Sequence, residues 1–194
     1  MKFCDLLVRA HLFMNVDAGR EVDVAKAVSV LPYSPSASVY YGVYDVGVWI
    51  NAPSSDIIAD TVLQEIRPIA GVRNTLTSSE VKSFQPKKPP QLKAKNPYRG
   101  RVLISARIGK EDEIAKSLRS IPNVKGISTV YGIYDVIVDV ETFEPEELEI
   151  VIRKIRHRDQ IRRTSTMIEV QSFNQGTPEY PQRERPTKEA RTAN

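Results

Sequence analysis

Cysteine is almost missing from this chain: Cys4 stands alone among 194 residues. No intramolecular disulfide can form, and such sparing use suits a reducing compartment. No apolar run reaches the length that a membrane-spanning helix needs. The N-terminus lacks the basic, apolar and small-residue succession of a signal peptide, so the expected location is the cytoplasm, away from any membrane. Histidine is scarce too, with only His11 and His157. Cys4 and His11 lie too far apart along one strand to share a metal, and nowhere do a nucleophile, a base and an orienting group show a recognisable spacing. The expectation is a chain with no catalytic residues, no metal and no cofactor. The basic surplus is also local. Lys87, Lys88, Lys93, Lys95 and Arg99 crowd into residues 85–100 without one acid, and the remainder is slightly negative. The folded parts therefore lack the basic excess of a nucleic-acid binder.

What the chain does have is a repeat. Tyr40-Tyr41-Gly42-Val43-Tyr44-Asp45 returns as Val130-Tyr131-Gly132-Ile133-Tyr134-Asp135, and Gly19, Glu21, Ala25 and Pro32 return as Gly109, Glu111, Ala115 and Pro122. Beyond the motif the offset falls by one, so that Arg73, Thr75, Thr77 and Ser83-Phe84 match Arg162, Thr164, Thr166 and Ser172-Phe173. A correspondence of that length is a duplicated domain.

Each copy reads βαββαβ. Residues 6–16 alternate, with Val8, Ala10, Leu12 and Met14 on one face and Arg9, His11, Phe13 and Asn15 on the other. Val24, Ala25, Val28 and Leu31 recur at helical spacing up to Pro32. Residues 36–41 predict a second strand, Gly42-Val43 a two-residue type II′ turn flanked by Tyr41 and Tyr44, and Val46, Val48 and Ile50 a third strand. Ser54 and its neighbours start a second helix that buries Ala59, Val62, Leu63 and Ile66, and a last strand runs to about Phe84. The second copy repeats this order over about 99–173. Residues 1–84 and 99–173 are thus read as two domains. Between them, Pro86, Pro89, Pro90 and Pro97 stiffen a linker over 85–98, and 174–194 is read as a disordered tail. The fold class is α+β. Two tandem ferredoxin-like units of the dimeric α–β barrel type are expected to pack their sheets face to face as an intramolecular pseudo-dimer, because Phe13, Trp49, Leu103 and Ile137 make the second faces too apolar for water.

Both copies resemble the ligand-sensing domain of the leucine-responsive/asparagine regulator (Lrp/AsnC) family. The residues that carry the likeness are the Gly-x-Tyr-Asp hairpins, Gly42 to Asp45 and Gly132 to Asp135, with Thr75-Leu76-Thr77 and Thr164-Ser165-Thr166 on the last strands. The resemblance implies a non-catalytic module that binds amino acids or related effectors near the hairpins and assembles into higher oligomers. It implies modulation of transcription or amino-acid metabolism, through assembly with itself or with full-length regulators of the family. The family's helix-turn-helix has no counterpart before the first strand, so direct operator recognition by that route is not expected.

The candidate effector site is therefore Gly42, Tyr44, Asp45, Thr75 and Thr77, with Gly132, Tyr134, Asp135, Thr164 and Thr166 in the second copy. Each has a plainer reading beside it: the glycines serve the turn, the aspartates brace the hairpin, the tyrosines pack, and the threonines are good strand formers. Two other classes stand against the sensor. A small monooxygenase-like enzyme of the same fold needs a histidine or acid pointing between the sheets, for which His11 is the sole candidate. An RNA-binding module needs exposed aromatics on the first and third strands; Phe13 and Trp49 fit loosely, but Leu103, Ile137 and Asp139 do not. Lys87, Lys88, Lys93 and Lys95 offer at most weak, salt-sensitive phosphate contacts.

Overall fold

The structure is a computed structural model that describes residues 7–90 and 97–174. Its elements run β1 (Val8–Val16), α1 (Glu21–Ser29), β2 (Ser36–Tyr41), β3 (Val46–Ala52), α2 (Ser55–Asp60) and β4 (Val72–Phe84). They continue as β5 (Tyr98–Ala106), α3 (Glu111–Leu118), β6 (Val124–Tyr131), β7 (Val136–Thr142), α4 (Pro145–Arg156) and β8 (Ile161–Asn174). Most of the expected tail and the middle of the expected linker lie outside the described residues. Asn174, placed in the tail by sequence, ends β8 instead, and Tyr98, placed in the linker, opens β5.

Eight antiparallel strands close into a barrel in the order β1-β3-β2-β8-β5-β7-β6-β4. The inner faces of the two sheets share one core, and beyond the expected face-to-face packing the sheets also join at their edges. The long last strands make the junctions. In β4, Val72 to Ser79 pair with β1, and Ser79 to Phe84 then pair with β6. In β8, Ile161 to Ile168 pair with β5, and Ile168 to Asn174 go on to pair with β2. Each copy lends its last strand to the other, so the edges β2 and β6 find partners, and closure removes edges altogether.

The alternation of β1 has a place for both faces. Ala10, Leu12, Met14 and Val16 face the helices and join Val24, Ala25 and Val28 in one core. Val102 and Ile104 do the same in the second copy, with Ile114, Leu118 and Ile155. Inside the barrel a third core holds Phe13, Leu103, Ile137, Met167, Tyr40, Val130 and Tyr134. Of the four residues expected between the sheets, Phe13, Leu103 and Ile137 are fully buried there. Trp49 is only half-buried, because it walls an opening described below.

The second helix departs from its expected face. Ser54 caps it, accepting from the Ile57 N–H at 3.3 Å. Past Asp60 it continues over Thr61–Ile66 with π-helical bonding, as in Arg67 N–H to Val62 O. The wider turn puts Ile58, Val62 and Ile66 in the core and leaves Ala59 and Leu63 in water. Spacing counted at 3.6 residues per turn misplaces those two.

Candidate functional site

The hairpins are four-residue loops, Gly42 to Asp45 and Gly132 to Asp135, and the expected two-residue turn is not formed. Gly42 and Gly132 have φ of 157° and 156°, far from the positive value near 60° that a type II′ turn needs. Tyr41 and Tyr44 do not pair across it. Glycine is needed for another reason. A Cβ on Gly42 would stand 2.8 Å from the Thr166 carbonyl oxygen, and one on Gly132 would stand 3.1 Å from Ser78 Oγ. Each hairpin lies on the last strand of the other copy.

The aspartates act alike in both copies. The Val16 N–H donates to Asp45 Oδ2 at 2.9 Å, and the Ala106 N–H donates to Asp135 Oδ2 at 2.7 Å. The Asp45 N–H in turn donates to Met14 O at 2.9 Å, and the Asp135 N–H to Ile104 O at 2.8 Å. One carboxylate oxygen therefore ties the hairpin to the end of the first strand, and the other has no hydrogen bond to the protein among the described residues. At the second hairpin an open groove of about 450 Å³ sets Asp135 and Ile133 with Ser105, Glu111, Arg162 and Arg163.

The remaining candidates scatter. Tyr44 and Tyr134 turn into the barrel, where Tyr44 stacks on Phe13 at 5.4 Å between ring centres and shares a hydrogen bond with Tyr134. Burial first, and then Tyr134, push the Tyr44 hydroxyl up to about 12. Thr75 and Thr77 sit opposite Met14 and Leu12, and Thr164 and Thr166 opposite Ile104 and Val102, which is the helix-bearing side of the sheet. Arg67 Nε donates to Thr75 Oγ1 at 2.9 Å. Tyrosines and threonines thus lie on opposite faces, and of the candidates only Asp135 lines the groove, with Glu111, Arg162 and Arg163 as its other charged residues. Arg162 and Arg163 were not singled out by sequence, although Arg162 is the match of Arg73.

A second constellation occupies the barrel interior. His11 is buried, with both ring nitrogens lacking a hydrogen-bond partner among the described residues, and its ring centre lies 3.9 Å from that of Trp49. Burial, and after it the charge of Arg101, hold the imidazole well below its ordinary range. Arg101 takes in the second copy the place that His11 takes in the first. Burial opposes its charge, but Asp139 more than offsets this, with Arg101 Nε donating to Asp139 Oδ1 at 2.7 Å, and the guanidinium is held charged. Around it Arg99 bonds Glu141 at 2.7 Å and Glu169 at 3.1 Å. The copies share that last arrangement, since Arg9 meets Glu80 at the matched positions. The signal for this interior is in the sequence, where His11 is the candidate of the enzyme reading and Arg101 stands at its matched place.

The buried neutral His11 has a consequence for stability. Its folded pKa is depressed, so below the ordinary value of about 6.5 the unfolded chain takes up a proton that the folded chain refuses. Stability is complete above that value and falls as pH drops, by up to about 1.4 kcal/mol per pH unit until the folded pKa is reached. Melting temperatures between pH 7 and pH 5, as an approximate window, should show this slope, and His11→Met should remove its share. An equal slope in both proteins would refute the assignment.

Among the described residues no three His, Cys, Asp or Glu side chains group as a metal site, and no helix is long and apolar enough to cross a membrane.

Comparison with known proteins defines the class first. The siroheme decarboxylase NirDL, in co-complex with an iron-uroporphyrin III analogue, superposes with a TM-score of 0.67 at 9% identity, over 90% of this chain and 74% of that one. An anthrone oxidase-like protein gives 0.54 at 11% identity, over 87% and 92%. At such identities the likeness is one of fold, an α+β barrel of the dimeric α–β type. A hypothetical protein from Pyrococcus horikoshii is 40% identical over 38% of this chain and 90% of its own, with a TM-score of 0.37. No curated protein matches the chain. Residues 102–179 match the model of the Lrp/AsnC ligand binding domain.

Proposed function

We propose that the chain is an effector-binding and assembly module of the Lrp/AsnC type, with two tandem sensing units forming one pseudo-dimer. Its effector is a small amino-acid-like zwitterion held at the hairpins. The observation that carries this reading is the groove at the second hairpin, whose lining includes the acids Asp135 and Glu111 and the bases Arg162 and Arg163. A carboxylate meets an ammonium group, and a guanidinium meets a carboxylate, by charge-assisted hydrogen bonds, so the groove suits both ends of an amino acid. Tyr41, Tyr131, Ile133 and Ile108 are exposed beside the hairpins and offer apolar surface for contact between pseudo-dimers or with full-length regulators of the family. Through such assembly the module would tune transcription or amino-acid metabolism.

A thermal-shift screen of the full chain against the free amino acids tests this. A specific ligand raises the melting temperature by mass action. The expected result is a selective, saturable rise for one amino acid or a few alike; no rise with any of them at millimolar concentration would sink the proposal.

One observation favours a second reading, a small enzyme of the barrel type: His11 does point between the sheets, as that reading requires. The visible absorption spectrum of the purified protein separates the two, since a bound chromophoric cofactor belongs to the enzyme and not to the sensor.

A further inference from the structure

Inside the barrel the two copies have diverged where they should match. His11 answers to Arg101, and Trp49 to Asp139. The result is one polar cavity of about 390 Å³ between the copies, within the size range of small-molecule sites. No residue of either hairpin loop lines it.

Most charges on its wall are spent on each other. Arg99 is held by Glu141 and Glu169, and Lys125 by Glu141. Arg101 is paired with Asp139 but keeps donors to spare. It is only 5% exposed, and its one hydrogen bond among the described residues runs from Nε to Asp139. Both terminal amino groups keep their donors. The rings of Trp49, Tyr40 and Phe13 surround the guanidinium, with centres 5.7, 5.8 and 5.9 Å away, and fix its plane. Behind Trp49, the buried His11 lacks a hydrogen-bond partner on either nitrogen among the described residues. Buried polar groups ordinarily have partners, so the His11 nitrogens need an explanation, and the Arg101 amino groups line the cavity with donors to spare.

We propose that this cavity is a second binding site, for a small planar monocarboxylate, distinct from the hairpin site. The carboxylate takes the two free amino groups of Arg101, whose fork matches it in a bidentate pair. The planar body lies against Trp49 and Tyr40, which supply an apolar wall at little entropic cost. A cation is disfavoured because the buried guanidinium repels it and the acids of the wall are already paired.

Trp49 is the only tryptophan, so its fluorescence reports on this site alone. The full chain is titrated with benzoate, benzamide and benzylamine. The expected result is a saturable change in Trp49 emission with benzoate, an affinity for benzamide weaker by about tenfold or more, the scale of one lost charge-assisted bond, and no response to benzylamine. Arg101→Lys keeps the charge beside Asp139 but loses the fork, and should weaken benzoate by about the same factor. Gly126→Val tests the cavity without touching Arg101. A Cβ there meets nothing nearer than Asp139 Oδ2 at 3.6 Å, so the fold is spared while the opening narrows, and the benzoate response should fall. Equal responses to benzoate and benzamide, no saturable response, or undiminished benzoate binding in Gly126→Val or in a folded Arg101→Lys would each overturn the proposal.

Discussion

Arg101→Met is expected to destabilise the fold by about 3 kcal/mol, the low end of the range for stripping one partner from a buried ion pair. The Asp139 carboxylate would remain inside the barrel with no cation bonded to it. The low end applies because the Asp139 side chain is 24% exposed to the cavity, while that of Arg101 is 6% exposed. The methionine replaces the stem but not the guanidinium that three rings enclose, so some packing is lost as well. For a chain of this size the loss lowers the melting temperature by roughly 6–12 °C. Adding Asp139→Leu to the variant should recover much of it, because the cost lies in the carboxylate left behind rather than in the missing attraction. Thermal denaturation of wild type, single and double variants measures this. A single variant as stable as wild type would mean that Asp139 is well hydrated and the pair is not a buried one.

Gly42→Ala is expected to cost about 1–2 kcal/mol more than Gly132→Ala, although the two glycines share a motif and nearly the same φ. The difference lies in what the new methyl meets. At Gly42 it meets the backbone of β8, with the Thr166 carbonyl oxygen at 2.8 Å and Met167 Cα at 3.1 Å. That part of β8 is held by β5, and by β2 from Ile168 onward, so its backbone does not step aside. At Gly132 the nearest atom is Ser78 Oγ at 3.1 Å, the end of a small side chain that can rotate. Because the backbone term is common to both, the comparison isolates the contact. Denaturant midpoints of the two variants decide it, and equal losses would show that the loop conformation, not the approach to β8, requires glycine.

The duplication, the element order and the helix-facing cores were legible because they depend on local periodicity. The inner faces of β1, β3, β5 and β7 were also recognised as buried, from Phe13, Leu103 and Ile137. What could not be read was how the sheets meet. Closure through β2–β8 and β4–β6 depends on Phe84 and Phe173 lying far along strands that outrun their own copy, and length alone does not say where an overhang goes. The π-helical turns over Thr61–Ile66 escaped for a like reason: Ala59 and Leu63 fit an ordinary helix face as well as Ile58 and Val62 do. The hairpin residues were found because they repeat. The interior site is harder to read because its members, His11 with Arg101 and Trp49 with Asp139, differ between the copies, so that no motif recurs. Of the groove arginines, Arg163 has Asn74 as its counterpart, whereas Arg162 repeats Arg73 but carries no motif of its own.

The central claim is that Asp45 and Asp135 hold the ammonium group of an amino-acid-like effector. Asn at either place still presents an oxygen to the Val16 or Ala106 N–H, so the hairpin brace survives while the charge is lost. The direct measurement is a calorimetric titration of wild type and of Asp45→Asn/Asp135→Asn with the amino acid that most raises the melting temperature. The account predicts a double variant that melts close to wild type but loses on the order of 1.5–3 kcal/mol of binding free energy at each site, the scale of a charge-assisted hydrogen bond. Unchanged affinity in the double variant would contradict it and leave both aspartates as braces of the hairpin alone.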